Sequence, residues 1–546
     1  MPSLHYDSCQ ESRSCFLEAP KNFPKFLLHE IKEVVEKFRQ PVSILFDKEK
    51  KHLGVQLNGS NSDSVLGVLP GLYPEWLGDR SFQETHAVVF PYVVGEMANG
   101  IASARMVIAS AKAGLLGFFG AAGLSLERLS REIDYIQENL IQETWGSNLI
   151  HSPQETQLEQ ASVDLYLKKK VRRISASAFM NLTQTVVQYA CTGLYEDAGR
   201  VCRQNYVFAK ISRPETARHF MSPPPKSILD KLFHEKKLTK REVELAQKIP
   251  VSEDITVEAD SAGHTDNQVL SAILPTIIEI RNSLQTEYKY KAPIRVGAAG
   301  GIGSPSSVAG AFAMGAAYIL TGTVNQVCVE SDIHVSAKKM LETVNFGDMM
   351  MCAASDMFEQ GVKLQVMKRG TLYPVRANWL YELYRTYSSI QDMPKHILER
   401  LEKDIFRRPL SQIWEETQSF WLQRDPVQVE RANKDPKHFM ALTFRYYLGL
   451  SSKWAIQGLT ERQYDYQIWC GPSQAVFNQW VKGSFLADLE NRTVQQVAYN
   501  LLEGACQISR AQQLRSFGVP VPLEAYSFKP RKLSYDLSKH GSEYVQ

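Results

Sequence analysis

Short apolar, β-branched runs recur along the chain from His86 to Gln326, and most stop at a glycine or a small polar residue. They lie near 87–94, 115–119, 147–150, 171–175, 206–210, 255–259, 294–298 and 318–321. Between them the apolar positions fall at helical spacing, most clearly over 97–112 and 125–142. The connection over 213–248 is longer and predicts two helices, with Pro223, Pro224 and Pro225 between them. Eight strands alternating with helices predict an α/β fold, a (β/α)8 TIM barrel rather than an open sheet. The residues just after each strand of such a barrel face the working site. Here they are Gly95 and Met97, Phe119 and Gly120, Asn148, Ser175 and Ser177, Lys210, Asp260 to His264, Gly300 to Gly303, and Gly322 with Thr323.

The pattern changes on either side of this block. Residues 1–85 read as an N-terminal extension packing on the barrel, which itself covers 86–328. The extension predicts a helix over Phe26–Phe38, short strands over Val42–Phe46 and Leu53–Leu57, a turn at 58–62, and an aromatic, turn-rich stretch at 69–79. Residues 329–515 read as mainly helical, without further βα alternation, and carry Trp379, Tyr381, Tyr384, Trp414 and Trp421. They are expected to form an additional domain that covers the substrate, together with helices that close the barrel. The tail 516–546 is polar after Val519 and expected to be ordered only in part.

Two glycine loops follow consecutive predicted strands. In the first, Gly297, Gly300, Gly301 and Gly303 precede Ser304, a helix cap, and Pro305, which suits a first helical turn. Glycine lets backbone N–H groups approach an anion closely, and the helix N-terminus adds positive potential. Gly322-Thr323 repeats the arrangement after the next strand. A barrel places paired phosphate-binding loops after its seventh and eighth strands. Dinucleotide-binding patterns fit worse. The G-x-G-x-x-G spacing fails at Ser306, and Thr321 and Gly322 stand where a carboxylate would be needed.

With 546 residues and a 44% hydrophobic fraction, the chain can hold a barrel with additions. A net charge of +3 gives no general case for nucleic acid. The eight cysteines show no C-x-x-C spacing, so no metal site is expected. The N-terminus lacks a signal pattern, and no apolar run is long enough to span a bilayer. These features predict a soluble protein in a reducing, cytoplasmic setting, with no membrane partner.

His264 sits in A-D-S-A-G-H-T-D among small residues, open to a flat ligand, and histidine suits proton transfer near neutral pH. Asp260 or Asp266 would orient it. Lys210 ends Y-V-F-A-K before Ser212, a predicted helix cap. A lysine there would hold a phosphate, a ring edge or a thioester oxygen, or form a plain surface ion pair. Asn148 suits a heterocycle edge and Met97 a flat ring. Basic runs at 168–173 and 236–241 would meet an acidic partner, or simply be solvated. G-P-S-Q-A at 471–475 misses the serine-hydrolase elbow.

Several strings agree in order with one family. E-A-D-S-A-G-H-T-D, G-A-A-G-G-I-G, T-G-T-V-N-Q, A-S-D-M-F-E-Q-G-V-K-L-Q-V-M-K-R-G-T-L-Y-P and D-Y-Q-I-W-C-G-P resemble the PfaD family. These are the trans-acting enoyl reductases of polyunsaturated fatty acid and polyketide synthases, related to nitronate monooxygenases and flavin-type enoyl reductases. The likeness covers about 69–515. It implies FMN at the barrel mouth, NADPH as reductant, and enoyl thioesters on an acyl carrier protein as substrate. It maps the catalytic histidine to His264; Lys210, read from its own place at a strand end, would stabilise the developing enolate. It maps FMN binding to Gly95 and Met97 of a G-x-M turn, Asn148, Gly300, Gly301, Gly322 and Thr323, and the strand-end and glycine-loop reading adds Lys210 and Gly303 to that set. The family loop usually reads S-G-G-H, and here Ala262 replaces the first glycine. That matters if position 262 needs φ > 0. A nitronate-type flavin oxygenase and a non-catalytic assembly component are the alternatives. The oligomeric state is left open, with a homodimer as one outcome.

Overall fold

The computed structural model describes residues 24–49, 51–58, 64–153 and 155–537. Cys9, Cys15, most of the predicted turn at 58–62 and the tail from 538 onward lie outside the described residues. The chain divides into two compact units. The first holds the residues through Glu258, Val269–Ser331, and those from Gln479 onward; the second holds Ala259–Gln268 and Asp332–Asn478.

Eight parallel strands of the first unit close into a barrel. They are β1 (Tyr92–Val94), β2 (Leu116–Phe119), β3 (Trp145–Ile150), β4 (Arg173–Ser177), β5 (Tyr206–Ile211), β6 (Asp254–Glu258), β7 (Arg295–Ala299) and β8 (Ile319–Thr321). Each pairs with its neighbours in chain order, and β8 returns to β1. Each falls within a few residues of its predicted run. Side chains alternate across a strand, so every second residue faces the barrel interior. Val93, Leu116, Phe118, Phe208, Tyr318 and Leu320 form its buried apolar filling. Two glycines make room for the large rings. A Cβ at Gly146 would lie 2.4 Å from the Phe118 ring, and one at Gly297 would lie 2.3 Å from the Tyr318 ring. Gly297 therefore serves packing rather than anion binding.

The N-terminal end of the barrel is plugged by the helix Arg80–His86. Phe82 stacks on Tyr318 with ring centroids 4.5 Å apart. Beside it lies a buried charge network. Arg295 on β7 grips Asp254 on β6 with both arms of its guanidinium, at 2.6 and 2.8 Å. His86 Nε2 meets Asp254 Oδ2 at 3.0 Å, and Arg173 Nε donates to His86 Nδ1 at 3.1 Å. The Arg173 bond makes Nδ1 an acceptor, so the imidazole is neutral with its proton on Nε2. Burial pushes the His86 pKa down to about 4, against the pull of Asp254. The basic run 168–173 leads into β4 at this same end, away from the strand C-termini. Lys169 pairs with Asp134, and Arg172 donates to Asn205 at 3.1 Å. Lys169 and Arg172 are thus engaged within the barrel, while Lys168 and Lys170 are exposed.

Several local expectations change. The 213–248 connection holds three helices, Pro214–Met221, Lys226–His234 and Lys240–Ala246, because Thr239 and Glu242 form a capping box that opens a third. The first of these begins after Arg213, not Ser212, since Pro214 at the first turn sets its start. The N-terminal extension carries a third strand, Val65–Leu69, paired with Val42–Asp47 on the side away from His52–Leu57. Its sheet and the helix Leu28–Glu36 share a core with Ala511 and Leu514 of the long helix Val494–Ser516. Gly504 lets that helix approach the barrel; a Cβ there would lie 2.5 Å from Pro305 Cγ. The tail through 537 is tied down rather than loose. Gln496 Nε2 donates to Leu533 O at 2.6 Å, and Asn500 Nδ2 donates to Arg531 O at 2.8 Å.

The second unit is not purely helical. Met349–Ala353 and Lys363–Met367 form an antiparallel hairpin, and Gly263–His264 pairs with its second strand. The D-Y-Q-I-W-C-G-P string packs on the same strand, with Met367 N–H donating to Ile468 O at 2.9 Å. Its Asp465 is a buried hub. It accepts from Arg376, from Tyr447 Oη at 2.8 Å, from Arg407 at 3.0 Å and from Arg462 at 3.2 Å. No helix among the described residues is long and apolar enough to cross a membrane.

The Asp254 network generates a stability prediction. Asp254→Ala leaves Arg295 buried without its counter-charge, and should lower the unfolding free energy by about 3–5 kcal/mol. The shift in urea midpoint measures it. A midpoint equal to wild type would mean the pair contributes nothing to barrel closure.

Candidate active site

The C-terminal end of the barrel carries a second polar layer, built one residue per strand. Asn148 on β3 is buried and donates through Nδ2 to Ser175 O at 3.0 Å and to Ser177 Oγ at 2.9 Å. Ser177, the last residue of β4, donates to Glu96 Oε1 at 2.8 Å. Lys210 on β5 places Nζ 3.1 Å from the same oxygen and 3.3 Å from Glu258 Oε1 at the end of β6. Strands β1 and β5 stand four apart in a ring of eight. The Glu96–Lys210 pair therefore spans the mouth from one side to the other, over the apolar filling.

The electrostatics of this layer follow from that spacing. Burial alone would lower the Lys210 pKa, but Glu258 and Glu96 outweigh it and hold the ammonium above the ordinary lysine range. Lys210 is thus a fixed cation, suited to steadying negative charge and unsuited to giving up a proton near neutrality.

The glycine loops flank this layer. Gly300 and Gly301 take left-handed φ values of 85° and 69°. A Cβ added at Gly301 or Gly322 would meet nothing within 4 Å, so both backbones face open space. Ser304 caps the following helix, Pro305–Ala313, as its sequence suggests. Gly303 differs from its neighbours: its N–H already donates to Ser307 Oγ at 3.1 Å. Thr323 is buried at the start of a short helix beside Gly322. Gly95 is held by packing. Its N–H donates to Thr321 O at 2.9 Å, and a Cβ there would lie 2.5 Å from Leu320 Cδ2. Met97 shapes the turn through its carbonyl, which accepts from Ala102 N–H at 3.2 Å.

His264 belongs to the second unit, on the loop that follows β6. Gln365 pins this loop by donating to Asp260 Oδ1 and Ser261 O, both at 2.7 Å. Asp260 is thereby engaged, and also accepts from Asn267 Nδ2 at 2.9 Å. The carboxylate on the His264 ring is Asp356 instead, with Nε2 to Oδ1 at 3.2 Å. Gly263 takes a φ of 74°, whereas Ala262 is not in the left-handed region. The alanine therefore stands where its methyl imposes no turn strain.

Sequence reasoning thus names Asn148 and Lys210, which the fold joins through Ser177 and Glu96. It misses Glu96, Glu258, Asp356 and Gln365. Glu96 lies between Gly95 and Met97, both named from the sequence, and a carboxylate between them was the available signal.

The chain resembles several known proteins. The inserted helical domain of [acyl-carrier-protein] S-malonyltransferase matches residues 387–466. A component of the polyunsaturated fatty acid synthase of Thraustochytrium sp. is 48% identical over 81% of this chain and 30% of its own length. The polyketide biosynthesis protein PksE of Bacillus subtilis is 40% identical over 87% of this chain and 61% of its own length. The chain thus spans less than two thirds of either relative. Among solved structures, the enoyl reductase domain of MlnA, from the macrolactin cluster of Bacillus amyloliquefaciens, superposes with a TM-score of 0.77 at 36% identity. That match covers 81% of this chain and 99% of the MlnA domain. The chain belongs to the PfaD family of enoyl reductases of polyketide and polyunsaturated fatty acid synthases.

Proposed function

We propose that the protein is a cytoplasmic, trans-acting enoyl reductase. It takes 2-enoyl thioesters carried on an acyl carrier protein, during polyketide or polyunsaturated fatty acid assembly. The observation that carries this reading is the charged layer Asn148–Ser177–Glu96–Lys210–Glu258 beside two open glycine loops, in a chain of this family. FMN fits the donors present. The backbones at Gly301 and Gly322 face open space with no side chain to exclude a phosphate, and a buried cation stands at the mouth for a ring or carbonyl oxygen. When bound, FMN would pass hydride from NADPH to the β-carbon of the enoyl chain.

The chain's own residues have separate tasks in this reading. The 300–302 and 322–323 backbones hold the phosphate, while Gly303 secures the turn. Asn148 and Ser177 order the floor of the site. Lys210 stays protonated, and its charge, acting without a direct hydrogen bond, stabilises negative charge on the thioester oxygen as the α-carbon becomes nucleophilic. His264, steadied by Asp356, supplies the α-proton. The second unit is assigned to the acyl chain and its carrier. The direct test is to offer purified protein NADPH with a crotonyl thioester, and to identify the heat-released cofactor by mass. FAD in the supernatant, or NADPH oxidation that oxygen alone sustains, contradicts the reading.

Gly301→Asp should abolish FMN binding and leave the fold intact. The carboxylate enters open space, so the folding penalty is limited to its left-handed φ, roughly 1–2 kcal/mol, while its charge repels the phosphate. Full FMN occupancy in the variant would show that this loop does not hold the phosphate.

His264→Ala should slow enoyl reduction by roughly 10²–10⁴-fold, the usual range for a lost general acid. Flavin bleaching by NADPH needs no such proton and should stay within about tenfold of wild type. Stopped-flow measurement of the two half-reactions under anaerobic conditions separates them. Failure of the bleaching step, with FMN still bound, would assign His264 to nicotinamide binding.

A further inference from the structure

Two side-chain oxygens of the barrel-mouth layer, Ser175 Oγ and Glu96 Oε2, have no hydrogen-bond partner among the described residues. Glu96 Oε1 accepts from both Ser177 Oγ and Lys210 Nζ. Glu96 Oε2 is buried and meets no donor among the described residues. The side chain is only 5% exposed, so solvent does not readily satisfy it. A buried carboxylate oxygen left unpaired is costly, and native structures rarely keep one without a reason. Its neighbour is an ammonium. Together they present an acceptor beside a donor, at the mouth of the barrel and one strand from the Gly322 loop.

We propose that Glu96 recognises the ring of the bound flavin, with Oε2 accepting the imide N3–H while Lys210 Nζ faces an adjoining ring carbonyl. This rests on the flavin assignment above and adds the residue that reads the ring. The chemistry selects among the groups a flavin offers. Its phosphate is anionic and repelled by a carboxylate. Ring nitrogens N1 and N5 and both carbonyls are acceptors in the oxidised state. N3–H is the one ring donor, and it lies between two carbonyls, so an acceptor–donor pair complements that edge at two points. Glu96 would also set ligand class, since a ring whose edge lacks an N–H beside a carbonyl would leave Oε2 buried and unpaired.

The test uses binding, not turnover. Apoprotein is titrated with riboflavin and with 3-methylriboflavin, which replaces the N3–H by a methyl, and quenching of flavin fluorescence is followed. Neither ligand carries a phosphate, so the glycine loops contribute equally to both. Wild type should bind riboflavin roughly 10- to 100-fold more tightly than the methylated ligand, the range for leaving a buried acceptor unpaired. In Glu96→Gln the Ser177 and Lys210 donors hold the amide oxygen at the Oε1 position and turn the NH2 toward the ring, so the acceptor for N3–H is lost and the gap should close to within about threefold. Should Glu96→Gln fail to fold, the wild-type comparison stands by itself. Equal binding of the two ligands by wild type overturns the role of Glu96, as does a gap that survives in a folded Glu96→Gln. A variant that weakens both ligands alike while keeping the gap would place Oε2 on a ribityl hydroxyl, which also overturns it. Wild type that binds neither riboflavin nor FMN overturns the flavin assignment itself, and is distinguishable for that reason.

Discussion

The Asp254–Arg295 pair is the constraint on which the barrel depends. The two residues stand side by side on β6 and β7, in register, and both are fully buried. A buried ion pair is weak evidence for stability in general, because removing both charges from water is expensive. Here the geometry is bidentate, and the remaining hydrogen-bonding capacity is used by His86 and by Thr85, which accepts from Arg295 at 3.0 Å. The helix Arg80–His86 thus cannot slide without breaking polar bonds, and it brings Phe82 under the ring of Tyr318. Polar specificity at this end positions the apolar filling above it, and the filling sets the floor of the site.

Much of this architecture is legible in the sequence, and the legible part has a common cause. The barrel strands are buried on both faces, so they read as apolar, β-branched runs, and each stops at a glycine or small residue where a loop begins. The elements that escape lack that signature. Met349–Ala353 carries no β-branched residue, and its strand character comes from pairing with Lys363–Met367. Val65–Leu69 is interrupted by Gly67, which reads as a break. The bound tail depends on the amides of Gln496 and Asn500, on a helix far from it in sequence. Site residues divide the same way. Lys210, Asn148 and His264 follow strand ends and are legible there. Glu96 and Asp356 acquire meaning only through partners, and Asp356 meets His264 across 92 positions of chain.

The placement of the second unit explains how a barrel tolerates so large an addition. Asp332–Asn478 enters after β8, where a barrel would place its last helix. The chain then returns to the first unit, and the helix Val494–Ser516 packs against Ala104–Lys112 and Pro305–Ala313. Those are the helices after β1 and β7, so the returning helix fills the eighth position. Closure is complete without any contribution from the insert. The cores are accordingly separate: Asp465 organises one with three arginines and a tyrosine, and Asp254 organises the other.

The two charged layers of the barrel differ in one respect that bears on function. At the N-terminal end both oxygens of Asp254 are bonded, the imidazole beside it is neutral, and its donor and acceptor are both engaged. That network is closed and has nothing to offer a ligand. At the C-terminal end two carboxylates share one ammonium, and Glu96 keeps an oxygen buried without a donor among the described residues. A network under selection for stability alone would be expected to satisfy that atom, or to replace it by an apolar group of the same shape. Burial and charge are similar at the two ends, so neither distinguishes a structural cluster from a functional one here. Hydrogen bonding does differ between them, and the unpaired Glu96 oxygen lies at the same end of the barrel as the open backbones at Gly301 and Gly322.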